Sequence, residues 1–332
     1  MILAADIGGT KTVLALYLLG SKGLECQTKK NYSSKAFDSF NLLLEDFLSG
    51  QGPISLQAAC IGVAGPVLDG HCVTTNLPWS LNKAKIIKIL GTQQVKLLND
   101  LEAAAWGVLD LSENDLVELN PDAEFNRQGN IAIIAAGTGL GEALLCWDGN
   151  QHHAMATEGG HTDFGPNGEQ EAALLEFMRK KHPQHVSYER LVSGEGLPNI
   201  YQFLKESGVV AETKEIEQQM STRDPAAVIG EAAVAKTDAL CIKAVQLFCQ
   251  IYGAEAGNLA LNCLSYGGIY VAGGIGAKIL PYLLQGQFMQ GFLSKGRYLT
   301  MLKKMPVRVC LNPDVGLTGA ANYAAKMIKE RA

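Results

Sequence analysis

The 332-residue sequence predicts an α/β fold in two related lobes, on three observations. Strand-length apolar runs alternate with amphipathic helical stretches along the whole chain. The opening strand–turn–strand pattern returns in mid-chain, where "ILAADIGGTKTVLALY" is answered by "IAIIAAGTGLGEALLC". The length allows two domains with a core each, and one copy of the pattern opens each half. The two lobes are expected to face one another, as a duplicated fold requires.

Residues 2–19 read as a hairpin closed at Gly8-Gly9. A helix follows in "FDSFNLLLEDFLSG", where Phe37, Phe40, Leu43, Leu44 and Phe47 recur at helical spacing and Gly50 stops it. "AACIGVAGPVLDG" is an apolar strand broken by Gly65-Pro66. "VKLLND" is a strand that feeds a helix starting near Leu101. The first unit closes around residue 110, followed by the polar, turn-rich "LSENDLVELNPDAEFNRQGN". The second hairpin leads to a glycine-rich loop at 158–168, a helix "EQEAALLEFMRKK" and a second loop "PQHVSYERLVSGEGLP". Residues 207–224 read as a solvated connection, because charges are spread through them. A long helix is expected from Thr237-Asp238 to about Cys263, then "GGIYVAGGIGAKILPYLL" as strand, glycine turn and helix. The last segment, "GLTGAANYAAKMIKERA", is helical and packs back on the first lobe. The expected domains are therefore 1–110 with about 312–332, a small α/β unit, and 111–311, a larger α+β unit.

Composition excludes several classes. A formal net charge of −5 without a long basic run argues against nucleic acid or an anionic membrane as partner. The eight cysteines are scattered with no C-x-x-C pair, and several sit in apolar runs. They read as buried free thiols of a reducing compartment rather than a disulfide framework or a zinc site. The start lacks a basic n-region and Asp6 interrupts its apolar run, unlike a signal peptide. Residues 256–277 are uncharged, but their six glycines and two asparagines make a poor membrane helix. A cytoplasmic protein is expected.

Three glycine turns carry the functional signal: "DIGGTK" (6–11), "AGTGLG" (136–141) and "AGGIGA" (272–277). Consecutive glycine amides can cradle a phosphate, and Thr10 and Thr138 add hydroxyl donors. One such turn is commonly a hairpin and nothing more; three in one chain favour a nucleotide. The Walker A pattern is absent, and so is a dinucleotide fingerprint with its acidic residue about twenty positions on. Asn99-Asp100 sits at a strand-to-helix junction, where α/β proteins place reactive side chains, although Asn and Asp are also favoured caps. "EGGHTDFG" gathers Glu158, His161 and Asp163, and "SYER" adds Glu189. Gly159-Gly160 argue against a helix and so against metal binding through Glu-x-x-His; on a loop these side chains can bind hydroxyls. His152, His153 and His182 read as surface residues.

Together "DIGGT", "TNLPWS", "LLND", "AGTGLG", "EGGHTDFGPN", "ER-VSGEGL" (189–197), "GNLALN" and "GGIYVAGGI" resemble, end to end, the bacterial glucokinase family of the hexokinase/actin-like ATPase superfamily. The sequence is less similar to the ROK branch, since "TDFGPNGEQEA" has no cysteine; Lys11 also stands where asparagine is expected. The resemblance implies a two-lobed actin-like ATPase (ribonuclease H-like) fold, with a smaller α/β domain and a larger α+β domain around a cleft. It implies a hexose 6-phosphotransferase using ATP and Mg²⁺, in which Asp100 is the catalytic base for the glucose 6-hydroxyl. Asn99, Asp100, Glu158, His161 and Glu189 would hold the sugar. ATP would meet Ala5, Asp6, Ile7, Gly8, Gly9 and Thr10 in the first turn, Gly137, Thr138 and Gly139 in the second, and Gly273 and Gly274 near the adenosine. Asp6 would lie near Mg²⁺, directly or through water. The partners implied are glucose, ATP and a second copy in a homodimer. A kinase for mannose, fructose or glucosamine, an actin- or Hsp70-like ATPase, and an inactive sugar sensor are the rival readings.

Overall fold

A computed structural model describes residues 1–20, 23–74, 76–208 and 210–331. The chain forms two compact units, residues 1–112 with 312–332, and residues 113–311. Each is built on a mixed sheet, and the first adds a small antiparallel sheet of Val67–Leu68, His71–Val73 and Ser80–Asn82.

The first unit's sheet runs, edge to edge, Gly23–Ser33, Lys11–Gly20, Ile2–Ile7, Ala58–Val63 and Val95–Asn99. The first three strands are antiparallel neighbours, and Ile2–Ile7, Ala58–Val63 and Val95–Asn99 are parallel. Ala58–Val63 is buried at every position, as a central parallel strand must be. Helix Phe40–Ser49 buries Phe40, Leu43, Leu44 and Phe47, and Ser39 caps it. Phe37, counted above as part of that helix, lies outside it, because the Ser39 cap fixes the start. Helix Asp100–Val108 packs on the C-terminal helix Val315–Lys329 at backbone contact. A Cβ on Gly319 would lie 1.8 Å from the Ala103 carbonyl oxygen, and one on Gly107 2.0 Å from that of Val315. Glycine at both places lets the helix after Asp100 sit rigidly.

The second unit's sheet repeats that connectivity: His152–Thr157, Leu140–Trp147, Ile131–Ala136, Ile269–Ala272, Val307–Cys310, and an added edge strand Leu116–Glu118. The hairpins differ by one residue in the turn: Ile7 faces Thr12 across four residues in one copy, and Ala136 faces Leu140 across three in the other. Helix Ala239–Cys263 is the long helix expected, with Asp238 accepting from the Cys241 N–H at 2.8 Å as its cap. Its Tyr252 hydroxyl donates to the Ile134 carbonyl and accepts from the Ala136 N–H at 3.1 Å, fixing the strand end just before Gly137.

Three expectations fail. Residues 207–224 are not simply a solvated connection: Lys214–Thr222 is a helix. Ile216 is buried and Met220 packs beside it, so one i,i+4 stripe suffices to dock an otherwise polar helix. His152 is buried, not on the surface; neighbouring strand residues face opposite ways, so with His153 outside His152 must point in. His182 is half-buried, and burial with nearby Arg190 and Lys181 holds it below the ordinary histidine range.

Candidate active site

In the first unit, Ala5, Asp6 and Ile7 end the strand and Gly8, Gly9 and Thr10 form the turn. Ala5 and Ile7 are buried, so only their backbone can serve a ligand. The Gly8 N–H donates to the Lys11 carbonyl at 3.0 Å, closing the turn. Ser34 straps it from behind: its hydroxyl donates to the Gly8 carbonyl at 2.8 Å and its N–H to that of Thr10 at 3.0 Å. A Cβ on Gly9 would stand 2.8 Å from the Asn76 Cβ, so this position also needs a bare backbone.

Asp6 is half-buried against the first turn of helix Val315–Lys329, where a Cβ on Gly316 would lie 3.3 Å from its Oδ2. Burial, and next the charge of Asp314, push Asp6 up to about 6, while Lys11 opposes them. Two like carboxylates raise such a pKa, and a cation would relieve them. Among the described residues, no cluster of three or more His, Cys, Asp or Glu could hold a metal. Magnesium commonly binds one or two carboxylates and keeps water and phosphate as its other ligands. Asp6 fits that donor set, whereas Asp314 is already paired with Lys29.

Asn99 ends the parallel strand Val95–Asn99, and Asp100 is the first residue of the helix. The cap is Asn99: its Oδ1 accepts from the Leu101 N–H at 2.9 Å and the Glu102 N–H at 3.3 Å. Its amide nitrogen donates to the Gly65 carbonyl at 3.3 Å. Asp100 Oδ1 also accepts from the Leu101 N–H, at 3.0 Å, and the side chain is half-buried. A helix N-terminus is a favourable place for a negative charge.

In the second unit, Gly137, Thr138 and Gly139 join strands Ile131–Ala136 and Leu140–Trp147. Because Ile131–Ala136 and Ile269–Ala272 are parallel neighbours, Gly273 arrives beside this turn. It has φ of +83°, and a Cβ there would lie 2.5 Å from the Ala136 carbonyl oxygen. Gly137, Thr138 and Gly274 line a cavity of about 680 Å³. Its other wall is helix Pro225–Val234 with Lys278 and Ile279. That helix was not read from the sequence, although Asp224-Pro225 carries the signal: the Asp224 side chain accepts from the Ala226 N–H and Pro225 opens the first turn. Gly139 shapes its turn and Gly273 opens helix Gly273–Lys278, where a glycine turn was expected; neither lines the cavity.

Glu189 ties the second turn to the acidic loops. Its Oε2 accepts from the Leu140 N–H at 2.9 Å, and a Cβ on Gly139 would lie 2.4 Å from that oxygen. Its Oε1 is 3.7 Å from His161 Nε2. Gly159–His161 forms one tight helical turn where an open loop was expected, closed by Thr162 N–H donating to the Gly159 carbonyl at 2.8 Å. The 188–190 turn is fastened to it by the Tyr188 N–H, which donates to the Thr162 carbonyl at 3.1 Å. Glu158 stands exposed at the head of the first turn. The structure thus brings His161 and Glu189 together beside Gly139, with Glu158 one turn before His161. Ser34 and Asp314 are the supporting residues the sequence reading missed; neither belongs to a local motif.

A model of the family described as glucokinase matches residues 3–327. The chain is 42% identical to the glucokinase of Trichormus variabilis, over 98% of this chain and 99% of that one. Among solved structures, a glucokinase from an Antarctic psychrotroph superposes with a TM-score of 0.86 at 29% identity, covering 98% of each chain. A Balamuthia mandrillaris glucokinase solved with glucose shares the fold, with a TM-score of 0.79 at 22% identity over 98% of this chain and 93% of that one. With the turns, the capped strand end and the acidic loops in place, the chain belongs to the glucokinase family.

Proposed function

We propose that Asp100 is the general base that takes the proton of the glucose 6-hydroxyl as that oxygen attacks the γ-phosphate of ATP. The overall reaction, ATP-dependent phosphorylation of glucose, is that of the family and removes the ATPase-machine and sensor readings. The observation that carries the base assignment is the division of labour at 99–100. Asn99 caps the helix, and Asp100 presents a carboxylate at the end of a parallel strand, on a helix locked by glycine contacts. A positioned base typically contributes about 10²–10⁴-fold.

The remaining roles follow from what each group can do. Asn99, Asp100, Glu158, His161 and Glu189 bind the sugar hydroxyls, which as buried donors need acceptors. The 5–10 backbone with Asp6, and Gly137, Thr138 and Gly139, cradle the phosphates; Gly273, Gly274 and the 680 Å³ cavity receive the nucleoside. Mg²⁺ would be held near Asp6, directly or through water, and would supply neutralisation of the transferring charge. The enzyme works in the cytoplasm as a homodimer, at the entry of glucose into glycolysis. Eight free cysteines, six of them buried, fit a reducing compartment. Among the described residues, no helix is long and apolar enough to cross a membrane. ADP release with Mg-ATP and a panel of glucose, mannose, fructose, glucosamine and N-acetylglucosamine tests the reading. Dependence on glucose supports it, and sugar-independent turnover overturns it.

A further inference from the structure

Glu142 and Glu255 are among the most deeply buried charged side chains of the second unit, 2% and 4% exposed, and the roles above leave both idle. Glu142 stands on strand Leu140–Trp147 and Glu255 on helix Ala239–Cys263, and the two buried carboxyl groups are close enough to interact. Two neighbouring carboxylates taken out of water repel when both are ionised, so the pair holds one proton. Glu255 Oε2 accepts from the Asn258 amide at 2.8 Å, and that amide donates also to the Tyr188 hydroxyl at 3.0 Å. Lys295 Nζ donates to Asn258 Oδ1 at 2.6 Å. Among the described residues no other side chain or backbone N–H donates to the buried Glu142 Oε1, so a carboxyl is kept here at a cost that an apolar pair would avoid.

The pair lies directly behind both acidic loops. A Cβ on Gly159 would stand 2.0 Å from Glu142 Oε2, so the carboxyl is pressed against the backbone of the Gly159–His161 turn. Thr157 completes that contact: its hydroxyl donates to the Glu142 carbonyl at 3.1 Å and accepts from the Gly159 N–H at 3.1 Å. On the other side, Tyr188 precedes Glu189 directly. The titratable groups facing the pair are Tyr252 on the long helix, Tyr188 and Lys295, and Glu171 from helix Glu169–Lys181 faces Lys295 behind them.

We infer that Glu142 and Glu255 form a one-proton pair that positions the two sugar-binding turns, so that glucose affinity falls when the proton is lost. The inference rests on the reading of Glu158, His161 and Glu189 as sugar ligands. Burial, and then the charge of Glu255, push Glu142 up to about 8, so the loss falls on the alkaline side. Above it, two buried like charges repel, and the one packed against Gly159 is displaced with the turn.

The test is the pH dependence of kcat and of KM for glucose between about pH 7 and 9.5, in wild type, Glu142→Gln, Glu255→Gln and Glu142→Ala. In wild type KM rises about tenfold toward high pH with little change in kcat, the effect of losing one buried hydrogen bond. Glu142→Gln keeps a permanent donor, so KM stays within about twofold of wild type at pH 7 and the alkaline rise disappears. Glu255→Gln flattens the profile likewise. Glu142→Ala raises KM about tenfold at pH 7; if it fails to fold, the two Gln variants decide alone. A flat wild-type profile, or Gln variants with the wild-type rise, overturns the inference. Glu158→Gln and Glu189→Gln separate the two failures. If they leave KM for glucose unchanged, the sugar assignment falls and the inference with it. If they raise KM while the Gln variants at 142 and 255 keep the wild-type rise, the inference alone falls.

Discussion

Adding one methyl group at Gly139 tests whether Glu189 links the phosphate turn to the sugar. In Gly139→Ala the new Cβ would lie 2.4 Å from Glu189 Oε2, so that oxygen must retreat by about 1 Å to reach ordinary contact. The 2.9 Å bond from the Leu140 N–H is then lost. The side chain is 23% exposed and its end can swing into water, which limits the folding cost to about 1 kcal/mol, roughly 2–4 °C in Tm. Glucose binding loses a positioned acceptor, about 1–2 kcal/mol, or roughly 5- to 30-fold in KM. Gly160→Ala reverses the balance. Its Cβ would stand 2.1 Å from the Leu140 carbonyl oxygen, a backbone atom that cannot swing, so the strand itself must move. A loss near the upper end of overpacking, about 3 kcal/mol and roughly 6–12 °C, is expected. Thermal melts and steady-state kinetics on the two variants read both effects. A Gly139→Ala enzyme with wild-type KM for glucose, or one that melts below Gly160→Ala, refutes the reasoning.

Further outcomes follow from the first unit. Asp6 is raised to about 6, so it takes up a proton as the pH falls through that value and KM for Mg-ATP should rise there. Asp6→Asn should bind Mg-ATP weakly at every pH and lose that dependence; an unchanged acid limb would remove Asp6 from the metal's surroundings. Gly319→Ala would place a Cβ 1.8 Å from the Ala103 carbonyl oxygen and separate the two helices behind Asp100. It should cost about 2–3 kcal/mol in denaturant unfolding and lower kcat with it, whereas a stability within about 0.5 kcal/mol of wild type would show that the contact relaxes freely.

What the sequence made legible was what is local. Both glycine hairpins, the long capped helix and the strand end at Asn99-Asp100 are encoded within a few residues of one another, so period and turn chemistry suffice to read them. The candidate loops could be named, but not the fastening of Tyr188 to Thr162 that sets His161 beside Glu189. Helix Lys214–Thr222 escaped notice because only Ile216 and Met220 dock it. His152 turns inward although its neighbour His153 is exposed, because a strand sends adjacent residues to opposite faces, and a lone His-His pair does not declare a strand. Ser34, Asp314 and the Glu142–Glu255 pair gain meaning only from partners distant in sequence. Single residues carry no periodic signal.

The central claim is that Asp100 removes the proton of the sugar hydroxyl. The most direct test is glucose-dependent ADP release by Asp100→Ala, beside its glucose affinity and melting temperature. The account predicts a folded protein that still binds glucose, with kcat lower by at least about 10²-fold. A variant that keeps more than about a tenth of the wild-type kcat contradicts it, because a positioned base typically contributes about 10²–10⁴-fold.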